Sequence, residues 1–270
     1  MTTDEILLEI DGPIRTITLN RAAKRNALTP EMLVSAKEAF TGEPGIEERV
    51  AVIRSTGPVF CAGIDLQRRL DDPADGRADS AHVSSADGEG SSLSPVEQLF
   101  YAIECWPLPV VAVVQGDAIA GGNELALHCD LVVASTKANF GMSLAQIGLA
   151  PTWFLTKKLL EVAGPVITRE ILMLGDPVPA PRMADLGVIG RAVPPHRLAS
   201  EADSVIGRLA ANAPLSLRAM KGVINREMAF RDTIAHDDVD ALVRAAGASD
   251  DAKIGIAARL ARSDPDFTGT

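Results

Sequence analysis

The sequence has no basic stripe, no cysteine framework and no long apolar run, and each absence removes a class of function. Lys and Arg number 26 against 36 Asp and Glu in 270 residues, a formal net charge of -10. Such a chain does not draw in a polyanion, so nucleic acid is not an expected partner. An anionic ligand must be held by local Lys, Arg or free backbone N–H groups, not by the overall field. The cysteines are Cys61, Cys105 and Cys129, an odd number without metal-site spacing. They read as reduced thiols, with no metal expected. No apolar run reaches membrane-spanning length. The opening Met1-Thr2-Thr3-Asp4-Glu5 is polar and acidic, without a basic region or apolar signal stretch. A soluble cytoplasmic protein with no membrane partner is the expectation. No internal repeat is visible.

What remains is ordinary globular composition, 47% hydrophobic and 23% charged. The length fits one large domain, or one domain with a smaller helical piece, and can bury a sizeable core. Ile6–Ile10 and Ile14–Leu19 flank Asp11-Gly12-Pro13 and read as an antiparallel hairpin. Thr29-Pro30-Glu31 starts a helix, with Thr as N-cap, Pro at the first helical position and an acid in the first turn. It runs to about Phe40, with Leu33, Ala36 and Phe40 on one face. Val50–Arg54, Val110–Val114 and Leu131–Ala134 read as short buried strands. Ser94-Pro95-Val96-Glu97 is a capping box opening a helix that ends near Trp106-Pro107. Asp71–Leu93 is rich in Asp, Ser, Gly and Ala and reads as a surface loop, the alternative being a lid that orders on ligand binding. Beyond about Leu155 the pattern is mostly helical, punctuated by Gly164-Pro165, Gly175-Asp176-Pro177 and Ala213-Pro214. Strands alternating with helices early, and helices late, give an α/β fold with a helical C-terminal extension.

Two segments share one design. Val50–Arg54 leads to Cys61-Ala62-Gly63 and a helix over Ile64–Leu70. Val110–Val114 leads through Gly116 to Ala120-Gly121-Gly122 and a helix carrying Glu124 through Leu127. A helix start leaves backbone N–H groups free, and small residues let a ligand approach them. Two such ends aimed at one point would cradle an oxyanion. Alone, each segment reads equally as turn geometry or packing. Gly121-Gly122 is not a dinucleotide fingerprint, because the third glycine is missing.

Together these segments resemble the enoyl-CoA hydratase/isomerase, or crotonase, family over nearly the whole chain. Asn20 to Leu28 is similar to the family's N-R-P-x-x-x-N-A-L, with Ala22 in place of the proline. Phe60 to Leu66 is similar to F-x-A/S-G-x-D-L, and Pro109–Asp130 to the longer segment that ends G-G-G-x-E-L-A-L-x-C-D. Leu174-Gly175-Asp176 through Ala184-Gly187-Val188-Ile189 follows in the right order. The resemblance implies a crotonase-like spiral of ββα units over residues 1–198. It also implies a helical region over 199–270 that builds trimers, often paired into hexamers. It implies an acyl-CoA substrate whose coenzyme A arrives as part of the substrate, with no permanently bound cofactor. The Ala62 and Gly121 N–H groups are then the oxyanion hole. Ile64, Asp65 and Leu66 lie along the coenzyme A path, Lys24 and Arg25 at its nucleotide end, and Glu124 matches the first catalytic glutamate of hydratases.

The sequence departs from that pattern after Phe140-Gly141-Met142-Ser143, where Leu144 stands in place of the second hydratase glutamate. Pro151-Thr152-Trp153-Phe154-Leu155-Thr156 is bulky where the family often has glycines. Hydration needs one group to activate water and another to protonate the α-carbon. A single base suffices to move a proton within an acyl chain, so the residues favour isomerisation or another one-base enolate reaction. Thioester hydrolysis, decarboxylation and a weakly catalytic acyl-CoA-binding paralogue are the alternatives. Met142, Leu144 and Trp153 are the expected acyl-pocket residues, although Trp153 reads equally as core. Burial would raise the pKa of Glu124 and the helix start would lower it. His128 reads as a helix-surface or core histidine, the alternative being a supporting role beside Glu124 one turn away; His82 reads as a loop residue that would reach the site only if the loop closes, and Asp130 as structural.

Overall fold

The computed structural model describes residues 4–66 and 93–270. Of the expected loop 71–93 and helix 64–70, all but Ile64–Leu66 and Leu93 lies outside the described residues, as does His82. Strands β1 (Ile6–Asp11) and β2 (Ile14–Leu19) form the hairpin, in register from Ile6 opposite Leu19 to Asp11 opposite Ile14. Helix α1 (Pro30–Glu38) begins where Thr29 accepts the Met32 N–H. Strand β3 (Val50–Ser55) follows, then α2 (Pro95–Cys105), whose capping box is complete: Ser94 and Glu97 each satisfy the other's backbone N–H. Next come β4 (Val110–Val114), β5 (Ala118–Ile119), α3 (Gly121–Leu127), β6 (Leu131–Ser135) and β7 (Asn139–Gly141). Helix α4 (Trp153–Arg169) kinks where Gly164 takes φ 67° ahead of Pro165. Then follow β8 (Val178–Pro179), α5 (Ala180–Asp185), β9 (Arg191–Val193), α6 (Leu198–Ala211), α7 (Pro214–Met228), α8 (Asp237–Ala248) and α9 (Asp250–Ala261).

The larger sheet runs β1-β2-β3-β4-β6-β9, parallel after the opening hairpin. Ile17, Ile53, Ala112 and Val132 stand in line across four strands and face the main core. Alternation sends Val50, Val52, Val111 and Val133 to the other face, where Leu198, Ala202 and Ile206 of α6 cover them. Burial on both faces explains why these strands read as unbroken apolar runs. The smaller sheet is β5-β7-β8, and Ala118 of β5 bridges in parallel to Cys61. Helix α7 is pinned by Lys221, whose buried ammonium donates to the Ile103 and Leu108 carbonyls and to Asp130. Asp130 also accepts the Val110 N–H at 2.7 Å, so it is a structural tie, as expected. Among the described residues no helix is long and apolar enough to cross a membrane.

Candidate functional site

The two small-residue segments do meet. Phe60 and Cys61 N–H groups donate to the Asp117 carbonyl at 3.0 and 3.1 Å, and the Ile119 N–H donates to the Cys61 carbonyl at 2.9 Å. This short ladder lays Cys61-Ala62-Gly63 along β5, just before α3 begins. A Cβ on Gly63 would stand 3.1 Å from the Gly121 nitrogen, and one on Gly122 would stand 2.2 Å from the Cys61 carbonyl oxygen. Backbone packs on backbone here, which only glycine permits. Ala120, the N-cap of α3, is held at φ 50° and ψ -118° by its N–H donating to the Gly141 carbonyl at 2.7 Å. A non-glycine residue in that region costs about 1–3 kcal/mol, and the surrounding ladder supplies it. Gly121 is the first helical residue, so its N–H has no intrahelical acceptor.

Gly121 and Ala62 line one cavity of about 670 Å³. Its lining includes the charged Lys24, Arg25 and Asp65 with Ile64 and Leu66, and an apolar set of Val96, Phe100, Met142, Leu144 and Leu155. Residues Val243 and Gly247 of α8, and Arg259 and Leu260 of α9, close the rim. Helix α9 can come this close because Gly255 lies against Ile147, with no room for a Cβ.

Glu124 sits one turn beyond Gly121, on the same side of α3. It is fully buried and is not part of the cavity wall. Asn123 donates to its Oε1 at 3.3 Å, while Oε2 has no hydrogen-bond partner among the described residues and lies 3.7 Å from His128 Nδ1. That ring nitrogen makes its hydrogen bond to the Glu124 carbonyl at 2.8 Å. Burial pushes the Glu124 carboxyl up to about 8, and the same burial pushes His128 down to about 4. Desolvation therefore outweighs the helix start. Near pH 7 the two groups rest as a neutral acid beside a neutral imidazole.

Stability should carry this signature. A carboxyl that ionises near 4.5 unfolded and near 8 folded gives stability that is lost as pH rises through that window. A histidine that protonates near 6.5 unfolded and near 4 folded gives stability that is lost as pH falls. Between 4.5 and 6.5 the folded and unfolded pairs carry the same number of protons, so the two effects cancel. From 6.5 to 8 only the glutamate differs, and stability should fall by about 2 kcal/mol. Denaturant titrations of the wild type and Glu124→Gln across this range check it. The wild type should lose this increment relative to the variant, and parallel curves would contradict it.

Comparison with known proteins decides the family. The sequence model described as Enoyl-CoA hydratase/isomerase matches residues 9–270. The chain belongs to the enoyl-CoA hydratase/isomerase family. It is 31% identical, over 98% of each chain, to the Escherichia coli protein named 1,2-epoxyphenylacetyl-CoA isomerase. It is 27% identical, over 98% of this chain and 99% of the other, to the 2,3-dehydroadipyl-CoA hydratase of the same organism. The solved structure of an enoyl-CoA hydratase/isomerase from Xanthobacter autotrophicus Py2 superposes with a TM-score of 0.80 at 29% identity, covering 96% of this chain and 94% of that one. The fold is therefore that of the crotonases, and the protein is an acyl-CoA-processing enzyme of the hydratase/isomerase type.

Within this family site, the residues marked in the sequence have unequal fates. Lys24, Arg25, Ala62, Ile64, Asp65, Leu66, Gly121, Met142 and Leu144 share the cavity. The Ala62 N–H is not free: it donates to the Arg25 carbonyl at 3.1 Å. Arg25 and Asn26 both take left-handed backbone, and the buried Asn26 amide ties their loop to the Thr56 and Val59 carbonyls. The Asp65 carboxylate pairs with Arg21 at 2.9 Å. Trp153 is not in the cavity wall. It stacks on His236 at 4.8 Å between ring centres, because the start of α4 turns it toward the C-terminal helices, and Leu155 takes the wall position. His128 is in the core against Glu124, not on a helix surface. Arg259 escaped notice because nothing local to α9 marks it. It reaches the cavity rim by tertiary packing and donates to Gln146 at 2.9 Å.

Proposed function

We propose that this enzyme stabilises the enolate of an acyl-CoA ester and moves one proton with Glu124 as its single acid/base group, shifting a carbon–carbon double bond along the acyl chain. The observation that carries the reading is the apolar set in the cavity lining. Leu144 belongs to it, where hydratases place a second glutamate. Among the described residues the carboxylates in the wall are Asp65 and Asp117, and both are engaged, by Arg21 and Asn139. Among the described residues two-group water addition lacks its second group, whereas proton abstraction and return need only one.

In this reading the thioester oxygen lies against the Gly121 N–H, and Ala62 gives the second donor by sharing its N–H between that oxygen and the Arg25 carbonyl. The acyl chain then runs past Phe100, Met142, Leu144 and Leu155. Its first carbons come within about one helical turn, 5.4 Å, of Glu124, and binding must open the wall that seals the carboxyl. Lys24, Arg25 and Arg259 give the cation density for the coenzyme A phosphates, which enter as part of the substrate. Decarboxylation, thioester hydrolysis and acyl-CoA binding with little turnover use the same parts. We place the protein in a trimer, or a dimer of trimers, because α7 and its neighbours leave Leu215, Val223, Ile224, Phe230 and Leu242 more than half exposed on the C-terminal region.

Incubation with enoyl esters of coenzyme A in deuterated water tests the reaction. Deuterium at the α- or γ-carbon without addition of water is the expected product pattern. Efficient hydration that survives Glu124→Gln would overturn it.

A further inference from the structure

Helix α3 reads Gly121-Gly122-Asn123-Glu124-Leu125-Ala126-Leu127, and every residue after Gly121 is buried. Asn123 is its one uncharged polar side chain, and it is 0% exposed. The Asn123 amide has a single partner among the described residues: Nδ2 donates to Glu124 Oε1 at 3.3 Å. Oδ1 is buried and has no hydrogen-bond partner among them. Leaving one end of a buried amide unpartnered costs stability, and an apolar residue would avoid that cost. Helix spacing does not bring the pair together either, because sequence neighbours project about 100° apart. The contact exists because both side chains turn toward each other. No other group among the described residues donates to that carboxyl. His128 Nδ1 lies 3.7 Å from Oε2, but its hydrogen bond goes to the Glu124 carbonyl at 2.8 Å. Phe100 and Phe154 hold the imidazole on both faces, at 4.9 and 5.2 Å between ring centres. The elements packed on α3 are β5, β6, α2 and α4. Strands β5 and β6 present no titratable side chain. Helix α2 brings Glu104 and α4 brings Lys158, which act on Glu124 through charge alone. Lys158 is itself paired with Glu104 and Glu161, Lys157 stands 3.9 Å from Glu161, and Glu97 of α2 is held by Ser94 and Thr152.

We propose that Asn123 is a positioning residue for the proton-transfer group: its amide donates the one side-chain hydrogen bond that the ionised Glu124 receives, and so favours the base form that takes a proton from substrate. The inference rests on the reading of Glu124 as the acid/base and adds what supports its charge. A carboxylate in a sealed site loses the hydration that water would give it. A hydrogen bond donated to the charged form favours that form, and it is stronger than the same bond to a neutral acid. The direction agrees: burial is the largest influence and holds the Glu124 carboxyl up near 8, and the Asn123 amide is the next, pulling it back down. The bond also sorts the two oxygens. With Oε1 engaged by Asn123, Oε2 has no hydrogen-bond partner among the described residues and is the oxygen that takes the proton.

The test is the pH profile of deuterium entry at the α-carbon of hexanoyl-coenzyme A, a saturated ester that undergoes no other proton shift. Asn123→Leu keeps the branched shape and removes the donor. Its midpoint should lie about one pH unit above wild type, a tenfold smaller fraction of ionised Glu124 at pH 7. Exchange at pH 7 should slow by up to that factor, and the level reached at high pH should be kept. Binding of hexanoyl-coenzyme A should be unchanged, because Asn123 is not in the cavity wall. An amide with a merely structural role would alter melting and leave the midpoint in place. An unmoved midpoint in the folded variant overturns the proposal. If Asn123→Leu does not fold, Asn123→Val, smaller and equally without a donor, carries the same expectation and the same refutation. Exchange that survives Glu124→Gln is a different failure, that of the acid/base assignment itself. If the wild type shows no exchange, an infrared titration of the carboxylic acid band that Glu124→Gln removes must give the higher midpoint in the Asn123 variant. Coincident titrations would then refute the role of the amide.

Discussion

Glu124→Gln should abolish solvent proton exchange into acyl-CoA esters, a loss of about 10²–10⁴-fold. The size follows from the site's composition. The two carboxylates in the cavity wall are already held, and Leu144 offers no proton. A remaining general base of comparable reach is therefore lacking among the described residues. The substitution is also unusually clean. Burial keeps Glu124 protonated near neutral pH, so a neutral amide of the same shape replaces a neutral acid. No buried charge is removed, and His128 gains no uncompensated partner. Melting near pH 7 should thus rise above wild type, because the amide does not bear the cost of staying protonated above the unfolded carboxyl's 4.5, while exchange disappears. Substrate binding, measured by calorimetry with hexanoyl-coenzyme A, should persist. Exchange within tenfold of wild type would show that another group moves the proton.

Gly122→Ala should be a strongly damaging substitution at the site. Its Cβ would stand 2.2 Å from the Cys61 carbonyl oxygen, 2.7 Å from the Cys61 Cβ and 2.8 Å from the Cys61 carbonyl carbon. Two of those three atoms are backbone, so no rotamer can relieve the clash. The first loop must move away from α3, which breaks the Ile119–Cys61 bond and separates the Ala62 and Gly121 N–H groups. Overpacking of this kind costs about 1–3 kcal/mol or more. Misplacing one oxyanion donor adds about 10²–10³-fold in rate. Gly121→Ala is the internal control. Its Cβ meets Gly63 Cα at 3.5 Å, an ordinary contact, so the fold should hold. Thermal melts and exchange rates of the two variants check the contrast, and equal melting temperatures would contradict the close-packed junction.

The parts of the fold that were legible in the sequence are those fixed by local chemistry. Thr29-Pro30-Glu31 and Ser94-Pro95-Val96-Glu97 carry their own start signals, and α1 and α2 begin there. Val110–Val114 is buried on both faces, so its apolar run has one reading. The β5-β7-β8 sheet was not legible, because strands of two or three residues hold no period. Long-range placement escaped for the same reason. Nothing near residue 259 says that α9 folds back to the cavity rim. The four-residue spacing of Glu124 and His128 put them on one face, but only the flanking Phe100 and Phe154 show that the pair is sealed and neutral. The Ala62 N–H was expected to be free, and its bond to Arg25 depends on left-handed backbone at Arg25 that sequence spacing does not reveal.

A buried carboxyl as the single proton-transfer group makes a sharp demand on pH. Ionised Glu124 is the base, and it is the minor form below about 8. The direct measurement is the rate of α-proton exchange of hexanoyl-coenzyme A in deuterated buffer, followed from about pH 6 to 10 with Glu124→Gln in parallel. The rate should climb about tenfold per pH unit, level off above about 8, and be absent in the variant. A profile already level near pH 6, or one that Glu124→Gln retains, would contradict the account.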